Sequence, residues 1–402
     1  MSVSALVALL VPTCLLLCAF CLPDEGCLGA VRRILFDTLP SLLLRALDSV
    51  RLGFLARGSA SAARWFMYRP HPIIQLGYAA LLTACYAAVV VYGYPRIPNP
   101  WMAGWHRWAG AAVYAGCVVT FLLASFTDPG VVTPANARAL SALYPPDNFL
   151  FRAEARCAPC GDGLPKLPRS KHCRVCDRCV ARFDHHCIWL NNCVGERNYR
   201  YFLAFVALNT LLMAYGVWAV AGIFLTEVAQ LRLYEAVFTT RATGARVPSG
   251  HAIVLQFLIG THTELAMVGF ICLIMGAVVA GFGAYHGALI CWNMTTNEAS
   301  KWGQADWLRD EALRARAARV EARVEALLGS GGGSDAAGAR AAAEAAEPPE
   351  PPMPRNAYAA AGWWENLLEP LRPPSLYGRS AAWRAAFRPA IEAPVAVTKK
   401  EN

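Results

Sequence analysis

Charge is scarce in this sequence. Only 16% of its 402 residues are Asp, Glu, Lys or Arg, and lysine nearly disappears, with five in the chain. Soluble domains carry about 25% charged residues, so a chain that is also 56% hydrophobic is read as a membrane protein. The formal charge of +9 is almost all arginine and is spread through several loops, which excludes a nucleic-acid surface. A secreted disulfide framework is excluded as well. The fifteen cysteines are an odd number, seven of them cluster at metal-ligand spacing, and most others lie in apolar runs. No Lys or Arg precedes Arg32, so the first apolar run lacks the basic start of a signal peptide and reads as an uncleaved anchor.

Long apolar runs are what the chain has instead. A spanning helix needs about 20 apolar residues, and five stretches qualify: Val3–Leu22, Ile73–Tyr94, Trp108–Phe126, Tyr201–Leu225 and Leu265–Trp292. The short piece Ala252–Gly260 is expected to cap the membrane without crossing it. Basic residues divide 32 to 5 between alternate loops, which sets the orientation by the positive-inside rule. The resulting organisation is an N-terminal transmembrane anchor at 1–22 with its start in the lumen and a cytosolic segment at 23–72. Two transmembrane helices with a short lumenal loop follow at 73–126, then a cytosolic Cys-rich zinc domain at 127–200. Two more helices with a lumenal loop occupy 201–292, and a cytosolic tail runs from 293 to 402. The expected fold class is an all-α polytopic membrane protein, a transmembrane helix bundle carrying a small cytosolic two-zinc Cys-rich domain.

The tail has several textures. Gln304–Leu328 reads as an amphipathic helix, with Trp307, Leu308, Leu313, Val320, Val324 and Leu327 apolar among Arg and Glu. Gly329–Ser334 reads as a flexible linker, and 335–347 with Pro348–Pro354 as low-complexity, disordered chain. Arg355–Pro370, with Tyr358, Trp363, Trp364 and Leu367, is expected to dock onto something.

The chemistry concentrates between Cys157 and Cys193, where seven cysteines and three histidines lie within 37 residues. Cys157-Ala-Pro-Cys160 precedes His172-Cys173-Arg-Val-Cys176-Asp-Arg-Cys179, Asp184-His185-His186-Cys187 and Asn191-Asn192-Cys193. A structural zinc takes four Cys or His ligands. Two zincs would use eight of the ten groups, leaving one thiol and one imidazole, a nucleophile and its base. Spacing alone does not choose which pair stays free. The rival reading is a membrane-anchored zinc-binding adaptor or a ubiquitin-ligase-like scaffold with no free thiol in its chemistry.

Asp184-His185-His186-Cys187, its upstream cysteines and the downstream Asn-Asn-Cys-Val-Gly closely resemble the DHHC protein S-acyltransferases. Asp128-Pro129-Gly130, Asn198, Phe202 and Thr295-Thr296-Asn297-Glu298 match lesser motifs of that family, and the extra first segment resembles a subgroup with an added N-terminal helix. The C-terminal motif departs, surviving only as Asn356-Ala357-Tyr358 with Gly362 and Asn366 downstream. The resemblance implies one zinc on Cys157, Cys160, His172 and Cys179 and a second on Cys173, Cys176, His186 and Cys193. It leaves Cys187 as nucleophile, His185 as base and Asp184 to orient the imidazole. It further implies palmitoyl-type transfer from long-chain acyl-coenzyme A to cysteines of membrane or membrane-associated proteins at the bilayer. Lys166, Arg169, Lys171 and Arg174 are candidates for the coenzyme A phosphates. Cys14, Cys18, Cys85, Cys117 and Cys272 read as apolar helix residues, and Cys21, Cys27 and Cys291 as boundary thiols. His71, His106, His251, His262 and His286 lack ligand spacing and read as structural. The final Lys399-Lys400-Glu401-Asn402 has the form of a retrieval signal read by coat machinery. That form places the protein in the endoplasmic-reticulum membrane, with the Golgi as the alternative.

Overall fold

The structure, a computed structural model, describes residues 69–371 together with Thr38 and Trp65, apart from residues 153–154, 162–163, 240–243, 330–335, 348–355 and 360–362. The expected first span Val3–Leu22, Cys14, Cys18, Cys21 and Cys27 lie outside the described residues. So do the Gly/Ser linker at 330–334, the proline run and the Lys399-Lys400 pair. The described helices are α1 (Ile73–Ala88), α2 (His106–Phe126), α3 (Pro134–Ser141), α4 (Tyr199–Gln230), α5 (His251–Thr261), α6 (Thr263–Cys291), α7 (Thr296–Gly329), α8 (Ala336–Ala345) and α9 (Trp363–Leu371). Among the described residues six three-residue strands pair as three ribbons. They are β1 (Lys171–Cys173) with β2 (Arg178–Val180), β3 (His185–Cys187) with β4 (Asn192–Val194), and β5 (Val237–Thr239) with β6 (Arg246–Pro248).

The chain divides into two compact units. The first takes Met1–Pro129, Cys173–Arg178 and His186–Tyr285, and the second takes Gly130–His172, Cys179–His185 and His286–Asn402.

In the first unit lie the apolar helices. Among the described residues four helices are long and apolar enough to cross a membrane: Ile73–Arg96 (α1 and the two turns that prolong it), α2, α4 and α6. These coincide with four of the five expected spans, with α4 running past both ends of the expected Tyr201–Leu225. Helix α5 has 11 residues. At 1.5 Å per residue it reaches only about 16 Å, too short to cross, as expected. Close packing depends on small residues, because lipid supplies no hydrophobic drive between helices. A Cβ at Gly216 would lie 2.8 Å from the Cys272 sulfur, and one at Gly269 would lie 3.0 Å from Val220. The buried Asn209 is satisfied inside the bundle, accepting from the Tyr78 hydroxyl at 2.7 Å and donating to the Phe205 carbonyl at 2.8 Å. Large apolar side chains such as Leu76, Phe126 and Phe270 stay outward and exposed, as a lipid-facing surface requires.

The first unit also anchors β4. Asn192 donates to the carbonyls of Ala124, Ser125 and Thr127 at the end of α2, where the last carbonyls of a helix have no internal partner. Asn198 donates to the Ala124 and Cys193 carbonyls and accepts from the Gly195 amide. Arg197 pairs with Asp128 at 2.7 Å.

The second unit corrects the reading of the tail. Residues 336–345 are not disordered chain: they form α8, packed on α7 with Ala339 and Ala343 buried one turn apart. Alanine is the best helix former and its small side chain lets two helices approach. The ion pairs Arg319–Glu347 and Arg340–Glu321 flank the contact. Helix α7 starts eight residues before the expected amphipathic stretch. The segment expected to dock does so through Tyr358, whose ring joins Tyr144 and Phe151 in a buried apolar cluster, and through Asn366 and Glu369 of α9, whereas Trp364 stays exposed.

Candidate functional site

Each unit holds one four-ligand cage. In the second unit Cys157, Cys160, His172 and Cys179 converge, with the Cys160 sulfur 3.1 Å from His172 Nδ1 and 3.6 Å from the Cys179 sulfur. In the first unit Cys173, Cys176, His186 and Cys193 converge, with His186 Nδ1 3.7, 3.3 and 3.7 Å from the three sulfurs in turn. Zinc at its usual bond lengths to sulfur and nitrogen makes a tetrahedron with edges of about 3.5–3.8 Å. Donor set and spacing therefore fit zinc in both cages. The ribbons explain the construction. Two ligands of each cage come from the paired strands of a short hairpin, His172 with Cys179 in one and His186 with Cys193 in the other, and the remaining two from a Cys-x2-Cys pair.

Asp184 is buried and held by three hydrogen bonds within the second unit. It is 2% exposed and one of its oxygens lies 2.7 Å from His185 Nδ1. The backbone N–H of Thr296 donates to Asp184 at 2.9 Å and the Thr296 hydroxyl at 2.8 Å. Burial alone would raise the Asp184 pKa. The His185 hydrogen bond and charge, together with the Thr296 amide, outweigh it and hold the carboxyl down at about 2. The imidazole is therefore gripped at Nδ1 by a carboxylate, an arrangement in which Nε2 is the ring nitrogen that can accept a proton.

Thr296 reaches Asp184 because α7 begins there with a capping box. The Thr295 hydroxyl accepts from the Glu298 amide at 3.2 Å, and the Glu298 carboxylate accepts from the Thr295 amide at 2.9 Å. That exchange satisfies two backbone donors and leaves the Thr296 amide, first in the helix, free to bind a carboxylate at the positive end of the helix dipole. His286, near the end of α6, completes the group: donor atoms of Asp184, His185 and His286 all lie within 4.8 Å of one another. The sequence marked Thr296 only as part of a family motif and His286 as structural, and it assigned neither to the group around Asp184. The Thr-x-x-Glu pattern signals the helix start, whereas His286 sits in an apolar run that gives no signal.

Arg169 is placed differently from expectation. Its side chain is 0% exposed, leaving no face for a phosphate. All five of its N–H groups are used: Nε donates to Glu298, one terminal nitrogen to Asn293 and Glu369, the other to Glu298 and the Asn293 carbonyl, over 2.7–3.1 Å. The guanidinium also lies between the rings of Tyr144 and Tyr358, 5.0 and 4.7 Å from their centroids. Lys166, Lys171 and Arg174 are exposed as a phosphate contact requires. A further lysine joins the first two. Lys301 lies over the Phe151 ring at 4.0 Å, and burial, then the charge of Lys166, pulls its pKa down to about 8.

Of the other residues, Cys187 is buried at the end of β3, Cys117 is buried and Cys291 is exposed. Asn366 donates to the Cys291 carbonyl at 2.8 Å, bracing the chain end of α6.

Residues 154–303 match the family model described as DHHC palmitoyltransferase. Over 190 residues the chain is 34% identical to palmitoyltransferase ZDHHC4 of Rattus norvegicus, covering 47% of this chain and 54% of that protein. It is 33% identical over 246 residues to palmitoyltransferase SWF1 of Yarrowia lipolytica, covering 61% and 59%. It is 28% identical over 276 residues to palmitoyltransferase swf1 of Schizosaccharomyces pombe, covering 68% and 72%. The chain thus spans little more than half the length of the first two of these relatives.

Proposed function

From a chain whose residues 154–303 are a DHHC-family domain, we propose a protein S-acyltransferase that moves a long-chain acyl group, palmitoyl above all, from acyl-coenzyme A to protein cysteines through Cys187. The observation that carries this reading is the Asp184–His185 pair at 2.7 Å, two residues before a thiol that neither cage uses. Successive strand residues face opposite sides, so His185 and Cys187 share one side of β3 and His186, a cage ligand, takes the other.

Cys157, Cys160, His172 and Cys179 would hold one zinc and Cys173, Cys176, His186 and Cys193 the other, and both would supply structure by fixing the ribbons that carry the reacting residues. The chemistry belongs to the side chains. His185 takes the Cys187 proton, and the thiolate attacks the thioester carbonyl. The bond to the coenzyme A sulfur breaks, and that sulfur leaves with the proton returned by His185. In the second half His185 deprotonates the target cysteine, whose sulfur takes the acyl group and releases Cys187. One thioester replaces another in each half, so no external energy source enters. Asp184 keeps the imidazole in its productive tautomer throughout.

Lys166, Lys171 and Arg174, with Lys301 added, are the residues proposed to meet the coenzyme A phosphates. The chain would lie with the Cys-rich domain and tail in the cytosol and its start in the lumen, in the endoplasmic-reticulum membrane. The basic-residue division and the Lys399-Lys400 pair support that placement, the latter through coat machinery. Changing both lysines to alanine is expected to redistribute the protein to later compartments.

The test of the activity is incubation of the purified protein with acyl-coenzyme A of several chain lengths. The expected result is a hydroxylamine-sensitive adduct mapped to Cys187 by mass spectrometry. A zinc-replete protein with no such adduct would favour the adaptor reading.

A further inference from the structure

Arg169 sits at the centre of a buried four-charge cluster in the second unit. Its partners are Glu298 of α7, Glu369 of α9 and, through Glu369 at 3.3 Å, Arg182. None of the four residues is more than 7% exposed. Two cations and two anions balance, which buried charge requires, and every N–H of Arg169 has an acceptor. The backbone at this cluster is under strain. Arg169, Arg182 and Asn293 all lie in the left-handed region, with φ of 58°, 43° and 44°. Non-glycine residues persist there where the surrounding structure over-determines them, and such strain gathers at functional sites.

The cluster is tied to Asp184 from two directions. The Arg169 carbonyl accepts from the Phe183 amide at 2.9 Å, fixing the backbone between Arg182 and Asp184. The Arg169 guanidinium holds both oxygens of Glu298, and Glu298 holds the turn that presents Thr296 to Asp184. Glu369 supplies the other carboxylate and is in turn gripped by Asn293 at 2.8 Å and by the Tyr144 hydroxyl at 3.0 Å. We propose that Arg169 is a positioning residue of the catalytic centre, which aims Asp184 by clamping Glu298 to Glu369 and so makes α9 a working part of that centre.

This rests on the acyl-transfer reading, and its test separates the two. Full-length protein carrying Glu369→Gln, Glu369→Asp, Arg169→Lys, Thr296→Val or both Thr296→Val and Glu369→Gln is purified beside wild type and a surface control, Glu347→Gln. Zinc per chain is measured, and the rate of Cys187 acylation is followed against palmitoyl-coenzyme A concentration and expressed per zinc-loaded chain. The maximal rate is expected to fall about tenfold in Glu369→Gln and Arg169→Lys, with half-saturating concentration changed by less than about twofold. Glu369→Asp should recover part of the loss, and Glu347→Gln should match wild type. The double variant should be no slower than Thr296→Val alone by more than about twofold, because both changes act on the same carboxylate.

A purely structural role would lower the yield of zinc-loaded chain and leave its rate unchanged. That result, additive losses in the double variant, or loss of zinc from every cluster variant would overturn the proposal. Failure of wild type itself to acylate Cys187 would instead overturn the acyl-transfer reading.

Discussion

Thr296 meets Asp184 twice, with its backbone N–H at 2.9 Å and its hydroxyl at 2.8 Å, across 112 residues of sequence. A carboxylate that receives two donors from the first residue of a helix is both held in place and kept ionised. Replacing Thr296 with Val removes the hydroxyl, keeps the shape and leaves the amide. Hydrogen bonds to charged groups contribute about 1.5–3 kcal/mol, so Cys187 acylation should slow by about tenfold or more. Zinc content should stay at two per chain. A rate equal to wild type would show that the amide alone suffices.

The lysine cluster gives a pH signature. Lys301 titrates near 8 in the folded protein, below the ordinary lysine value of 10.5. Between those values the unfolded chain binds more protons, so the penalty for burying the charge is relieved as pH rises from about 8 to about 10.5. Wild type should therefore gain stability relative to Lys301→Met across that window. Phosphate affinity should move oppositely. The half-saturating concentration of palmitoyl-coenzyme A should rise above pH 8 in wild type and show a weaker rise in Lys301→Met. Saturation curves at pH 7 and pH 9 provide the check.

Arg169→Gln and Lys171→Gln separate two roles that sequence had merged. A buried arginine with both carboxylates left behind is a folding and positioning loss, since breaking a buried pair costs about 3–5 kcal/mol. Its thermal midpoint should drop by several degrees. Lys171 is exposed, so its loss should leave the midpoint unchanged and raise the concentration of acyl-coenzyme A needed for half-saturation. Paired thermal melts and saturation curves on the two variants distinguish these outcomes.

Local information made much of this chain legible. Span length and hydropathy are properties of one contiguous stretch, and α1, α2, α4 and α6 fall where the apolar runs lie. Cys-x2-Cys spacing is equally local, and both cages assemble from the donors that the family resemblance assigned. Depth was not legible. Arg169 and Lys171 differ by two positions and look alike in sequence, yet one is sealed between two tyrosines and the other is exposed. Long-range partners were not legible either: the Thr-x-x-Glu cap marks where α7 starts but does not say that Thr296 faces Asp184. Helix α8 was read as disordered because alanine-rich composition is shared by loose chain and closely packed helix. Only the α7 contact that buries Ala339 and Ala343 decides between them.

The cages and the nucleophile are separable by single substitutions. Cys193→Ser and His186→Ala each remove a ligand, and because metal binding and folding are coupled, both should lose zinc and unfold at lower temperature. His185→Ala removes the base without touching a cage and should keep two zincs while losing acylation. Metal analysis and thermal unfolding of the three purified variants provide the readout.

The most direct measurement of the central claim is zinc per chain and acyl adduct in Cys187→Ser, made on the same sample. The account predicts two zincs, a wild-type melting profile and no adduct after exposure to palmitoyl-coenzyme A. Fewer than two zincs, or an adduct that survives the substitution, would contradict it.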